Sequence, residues 1–166
     1  MLVFENGSGT YIAKVADFGF STYFQVEQDL VKIPKSVPWN APEHHGRHFY
    51  PQGAKAMDVY SFGMLCLWLL FGVESPKTMS LPLRTVNDSQ SFSFEAQDWS
   101  QKEDLLLAWK RDRLLELAIQ LVAEHGNFAT KMRGNLTRFF QSSLCFDPQM
   151  RIVDWDRLLS FLAPAR

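Results

Sequence analysis

The chain opens with two short, strand-like stretches of hydrophobic positions. Two short apolar runs, residues 2–4 and 11–16, flank Asn6-Gly7, a dipeptide suited to a tight reversal, so the pattern predicts a β-hairpin. From Val59 to Val73 the chain is almost uncharged and reads as a helix apolar on every side, which belongs at the centre of a protein. Those 15 residues fall short of the ~18 needed to span a bilayer. Residues 87–97, rich in Ser, Gln and Phe, read as a loop. Across 103–124, Leu106, Leu114, Leu117 and Leu121 fall on one face of an amphipathic helix. Two further helices are predicted over 136–146 and 155–162, with Asp154 as N-cap of the last. The fold class is mainly α-helical with a short N-terminal β-hairpin.

Composition narrows the function classes. A net charge of −1 over 166 residues leaves no electrostatic footprint for nucleic acid or an anionic membrane, so neither is expected as a partner. Cys66 and Cys145 both lie in apolar stretches and read as buried thiols of a reducing compartment, hence an intracellular, cytoplasmic setting. The first twenty residues lack a basic start followed by an apolar run, so no signal peptide is expected. His44, His45 and His48 cluster beside Arg47, but their spacing matches no strong metal-ligand motif, and an exposed polar loop is the simpler reading.

Four short motifs follow one another in the chain. Asp17-Phe18-Gly19 comes first, and 22 residues after Gly19 comes Ala41-Pro42-Glu43. Fifteen residues past Glu43 begins Asp58-Val59-Tyr60-Ser61-Phe62-Gly63, and Asp147-Pro148-Gln149-Met150-Arg151 stands near the end. In order and spacing the four resemble the C-terminal lobe of the protein kinase family. The resemblance covers the whole chain as a partial kinase domain: a hairpin over 1–16, the activation segment over 17–43, a central buried helix over 58–72 and C-terminal helices over 101–163.

The family resemblance implies a role for each motif. Asp17, a hard oxygen ligand, would hold the Mg2+ that bridges the phosphates of ATP, Phe18 would pack inward, and Gly19 would let the backbone turn. Ser36, Pro38 and Trp39 would shape the substrate site, with Ser36 and Trp39 tilting the reading toward a Ser/Thr-type kinase. Ser21, Thr22, Tyr23 and Ser36 are the hydroxyls a kinase could phosphorylate to order this segment. Glu43 and Arg151, 108 residues apart, would form a buried ion pair. Asp58, taken to stand at the start of the apolar helix, would accept hydrogen bonds from a catalytic loop or else act as a cap.

The same resemblance marks what these 166 residues do not contain: a Gly-rich phosphate loop, a strand Lys, and a catalytic-loop Asp and Asn. Met1 is expected to be internal to a longer kinase, falling just after the catalytic-loop Asn. Three readings follow. The first is the C-lobe portion of a kinase whose complete form transfers the ATP γ-phosphoryl group to protein Ser/Thr hydroxyls, with the chain alone not catalytically competent. The second is a pseudokinase-like scaffold that docks proteins through the helices around 103–124. The third is a non-functional truncated product. Leu67, Leu70 and Phe71 are expected to form an apolar face exposed to solvent, one that a partner would cover.

Overall fold

The computed structural model describes residues 2–5, 7, 9–14, 18–19, 21–46, 48–71 and 103–163. The predicted hairpin forms: β1 (Leu2–Glu5) pairs antiparallel with β2 (Tyr11–Lys14), setting Phe4 opposite Ile12. Gly9 lies in the connection at a φ of +75°, a left-handed conformation that glycine adopts without steric cost. A second antiparallel ladder joins β3 (Val31–Lys32) to β4 (His48–Phe49) and closes the long segment between them into a loop.

The helix on which the rest assembles is α1 (Pro51–Leu70). It begins well before the predicted Val59, with Pro51 in its first turn, where a missing N–H costs nothing. Its buried residues include Ala56, Met57, Tyr60, Gly63, Met64 and Leu67, a stripe at helical spacing. From Val59 on the helix is apolar all round in sequence yet not buried all round. Leu67 is only 2% exposed, against expectation, because the later helices cover it; Trp68, Leu69 and Leu70 face outward at 42%, 53% and 37%.

The region predicted as one helix over 103–124 is two, α2 (Glu103–Asp112) and α3 (Leu114–Glu124). Arg113 leaves helical geometry, at φ −133° and ψ −29°, and its carbonyl accepts from the N–H of Leu117 to begin the second piece. The break lets the two halves serve different neighbours. Leu106 and Trp109 of α2 and Leu114, Ala118 and Val122 of α3 all join the central cluster; Lys110 of α2 is also buried and reaches the 38–40 segment, while α3 packs beside α4 (Thr130–Ser143).

Helix α4 starts six residues ahead of the predicted 136 and ends at Ser143, burying Leu136, Phe139, Phe140 and Ser143. A 3-10 turn (Pro148–Met150) and α5 (Trp155–Ser160) complete the chain. Asp154 caps α5 as predicted, its carboxylate accepting from the Arg157 N–H at 3.1 Å. The predicted loop at 87–97 lies outside the described residues. Among the described residues, no helix is long and apolar enough to cross a membrane.

Gly63 explains how closely α1 and the end of α4 approach. A Cβ built there would stand 2.6 Å from Ser143 Oγ, 2.8 Å from Leu144 Cδ2 and 2.9 Å from Ser143 Cβ, all on fully buried residues. Gly63→Ala is therefore expected to cost about 1–3 kcal/mol through overpacking. A urea midpoint at or above wild type would show that the two helices can separate freely.

Candidate functional site

Segment 38–43 is held against the helical body at both ends and along its middle. The last motif prepares one anchor. The Asp147 carboxylate accepts from the Gln149 N–H at 2.9 Å, and Pro148 opens the 3-10 turn, so the following Arg151 is directed inward. The Arg151 side chain is fully buried and spends all five of its N–H donors. Its Nη1 donates to Glu43 Oε1 at 2.5 Å and to the Ala56 carbonyl at 3.1 Å. Its Nη2 donates to Glu43 Oε2 at 2.9 Å and to the Phe146 carbonyl at 2.9 Å, while Nε donates to the Cys145 carbonyl at 2.7 Å.

This two-pronged pair joins residues 108 apart in sequence. With Glu43 side-chain exposure at only 18%, water screens the pair poorly. Removing one member would strand the other charge in the interior, at a cost of roughly 3–5 kcal/mol. The guanidinium also lies 4.7 Å from the ring centroid of the fully buried Tyr60, a cation–π distance.

Three successive carbonyls of the segment are then capped by side chains. Lys110 Nζ, on α2, donates to the Pro38 carbonyl at 2.6 Å and to the Asn40 carbonyl at 2.5 Å. Ser61 Oγ, on α1, donates to the intervening Trp39 carbonyl at 3.1 Å. The Trp39 ring meets Trp68 edge to face, with centroids 6.2 Å apart. Ala41 is buried, and the Asn40 N–H closes a turn onto the Ser36 carbonyl at 2.9 Å. Ser36 itself is exposed. The sequence motif from Asp58 to Gly63 thus supplies Tyr60 beneath the cations, Ser61 for Trp39, and Gly63 for the helix crossing.

Other expected residues fall differently. Asp17 lies outside the described residues. Phe18 is 66% exposed rather than packed inward, and Gly19 sits in an exposed turn beside it. Ser21 Oγ donates to the Phe18 carbonyl at 2.6 Å, Thr22 Oγ1 donates to the Lys32 carbonyl at 3.1 Å, and Tyr23 is 86% exposed. Asp58 is not at a helix start: it is the eighth residue of α1, so the capping reading is corrected. The helix begins earlier because Pro51 can open it and an apolar stripe continues from Ala56.

His44 departs from the exposed loop expected of it. It is buried, with Nε2 at hydrogen-bond distance (3.1 Å) from the Ile33 carbonyl and its ring 5.1 Å from Phe49. Among the described residues, no group of three or more His, Cys, Asp or Glu side chains could hold a metal ion. Cys66 and Cys145 are both free thiols, and burial pushes the Cys66 thiol up to about 12. The residue that sequence reasoning missed is Lys110. Its signal was a lysine set among Leu106, Trp109 and Leu114, inside the apolar face of the predicted helix.

No family model, curated protein or solved structure matches this chain.

Asp58 keeps an exposed surface, yet packing around its carboxyl partly desolvates it and raises it above its ordinary value of 3.8, so the folded chain keeps this proton to higher pH than the unfolded chain does. Stability is therefore lost as pH rises from 3.8 through the raised value, and the penalty is complete above it. Asp58→Asn is expected to raise the urea midpoint at pH 7, and the gain should close below pH 3.8. A gain of the same size at both pH values would assign the effect to something other than the charge.

Proposed function

We propose that this chain is the C-lobe portion of a protein kinase whose complete form transfers the γ-phosphoryl group of ATP to Ser/Thr hydroxyls of a protein substrate. The observation that carries the reading is the Glu43–Arg151 pair. It joins Ala-Pro-Glu to Asp-Pro-Gln-Met-Arg across 108 residues, the partnership that the family resemblance requires of those two motifs. The capping of three consecutive carbonyls at Pro38, Trp39 and Asn40 adds support, since a loop that seats a substrate must hold its shape before the substrate arrives.

The reading gives the described residues the substrate side of the reaction. Ser36, Pro38 and Trp39 line the seat, and Glu43 with Arg151 fixes its far end. Mg-ATP supplies the phosphoryl group in the complete form, with Asp17 as the assigned Mg2+ ligand. Asp17 itself lies outside the described residues, so its place as ligand rests on the family resemblance. The 166 residues also hold no catalytic-loop Asp and Asn, so transfer is assigned to a form that has them.

A second reading, a pseudokinase-like scaffold, draws on Trp68, Leu69 and Leu70. These exposed residues at the end of α1 offer an apolar surface for a protein partner.

The test is to capture the endogenous protein with an antibody against α5, measure its intact mass, and assay phosphoryl transfer from Mg-ATP to a Ser/Thr peptide library. The proposal expects a species heavier than 19.1 kDa whose activity is lost in Asp17→Asn. A 19.1 kDa species with no transfer, saturably bound to another protein, would replace it with the scaffold reading.

A further inference from the structure

Lys110 is a charged side chain placed where a charge is expensive. The residue is only 3% exposed, and its ammonium lies 5.7 Å from the Tyr60 ring centroid. Taking an ammonium out of water costs several kcal/mol unless strong partners replace the hydration shell. Main-chain carbonyls are such partners, and Lys110 Nζ takes two, Pro38 at 2.6 Å and Asn40 at 2.5 Å. The two carbonyls flank Trp39, whose own carbonyl is held by Ser61 at 3.1 Å.

A neutral apolar residue at 110 would fill the same space but leave both carbonyls without this donor. The buried cation therefore contributes something that packing does not. It fixes the direction of two peptide units, and hence of Trp39 between them. The reach is also specific. The 38–40 segment precedes α1, while Lys110 stands on α2, so the bond ties together parts of the chain 70 and 72 residues apart.

We propose that Lys110 is a positioning residue, a cationic clasp from α2 that holds the 38–40 loop in the shape on which substrate seating depends. Its bearing on substrate rests on the reading of Ser36, Pro38 and Trp39 as substrate-facing; the clasp is a matter of geometry alone. The anchors divide the work. Arg151 holds the Glu43 end of the segment and Lys110 holds the Pro38 end, while Tyr60 lies within cation–π range of both. Movement of α2 would therefore be transmitted to Trp39 through the two carbonyls that flank it.

The experiment is amide hydrogen exchange on the 166-residue chain, comparing wild type with Lys110→Met and Lys110→Arg. Met keeps the apolar stem and removes the donors, whereas Arg keeps a cation. In the Met variant, the amides of Trp39 and Asn40 should exchange at least about tenfold faster, matching the loss of charged hydrogen bonds, while those of α4 hold their protection. The Arg variant should recover part of the loss. Unchanged exchange at Trp39 and Asn40, or an equal loss of protection in α4, would overturn the clasp.

Should Lys110→Met fail to fold, reductive methylation of the wild type decides the matter. Lys110 should be modified at least about tenfold more slowly than the exposed Lys32 and Lys131. Equal rates would show an open ammonium and no clasp. None of these results depends on phosphoryl transfer, so failure of the clasp and failure of the kinase reading are separately visible.

Discussion

A guanidinium with no access to water must place every one of its protons, and Arg151 does so on three different parts of the chain. Its partners are Glu43, the Ala56 carbonyl in α1, and the Cys145 and Phe146 carbonyls after α4. Any arrangement that separated those parts would leave an unpaired charge or several unpaired carbonyls in the interior. The geometry is thus constrained at one point, and the segment before Glu43, the long helix and the C-terminal turn all meet there. A fully satisfied buried ion pair adds little net stability compared with an apolar replacement. What it contributes here is exclusivity of arrangement, because few other conformations satisfy five donors at once.

From that point the rest of the site follows by short steps. Glu43 fixed at one end leaves 36–42 as a loop over the face made by α1 and α2. Its peptide groups would be poorly solvated there without donors, and Lys110 and Ser61 supply them. Trp39 is pinned between these bonds and rests edge-on against Trp68. Gly63 lets the end of α4 pack closely on α1, the helix that carries Ser61 and Tyr60. The outcome is a loop hydrogen-bonded at successive carbonyls, with an exposed Ser36 near its start, on a mainly helical body.

Much of this was readable in the sequence where a local rule decided the matter. The hairpin followed from two apolar runs around Asn6-Gly7, and the α5 cap from an Asp placed before an apolar run. The partnership of Glu43 and Arg151 came from the order of short motifs, since no periodicity could relate positions 108 apart. Where tertiary context decided, the sequence misled. Asp58 was set at a helix start because the preceding turns of α1 are mixed in polarity, although Pro51 was there as a start signal. Leu67 was expected in solvent, yet it is buried in one core cluster with residues of α3 and α4. Phe18 was expected inside and is outside. Lys110 escaped notice because a lysine on an apolar face normally reaches for water, and only the fold shows that two carbonyls wait for it.

The dependence of the structure on the Glu43–Arg151 pair is open to direct measurement by a double-mutant cycle. Urea unfolding of Glu43→Gln, Arg151→Met and the double variant gives the coupling between the two side chains. If the pair organises the fold as described, each single variant loses about 3–5 kcal/mol and the double loses little more than the worse single. Losses that simply add would mean the two residues act independently, and the account built on their pairing would be wrong.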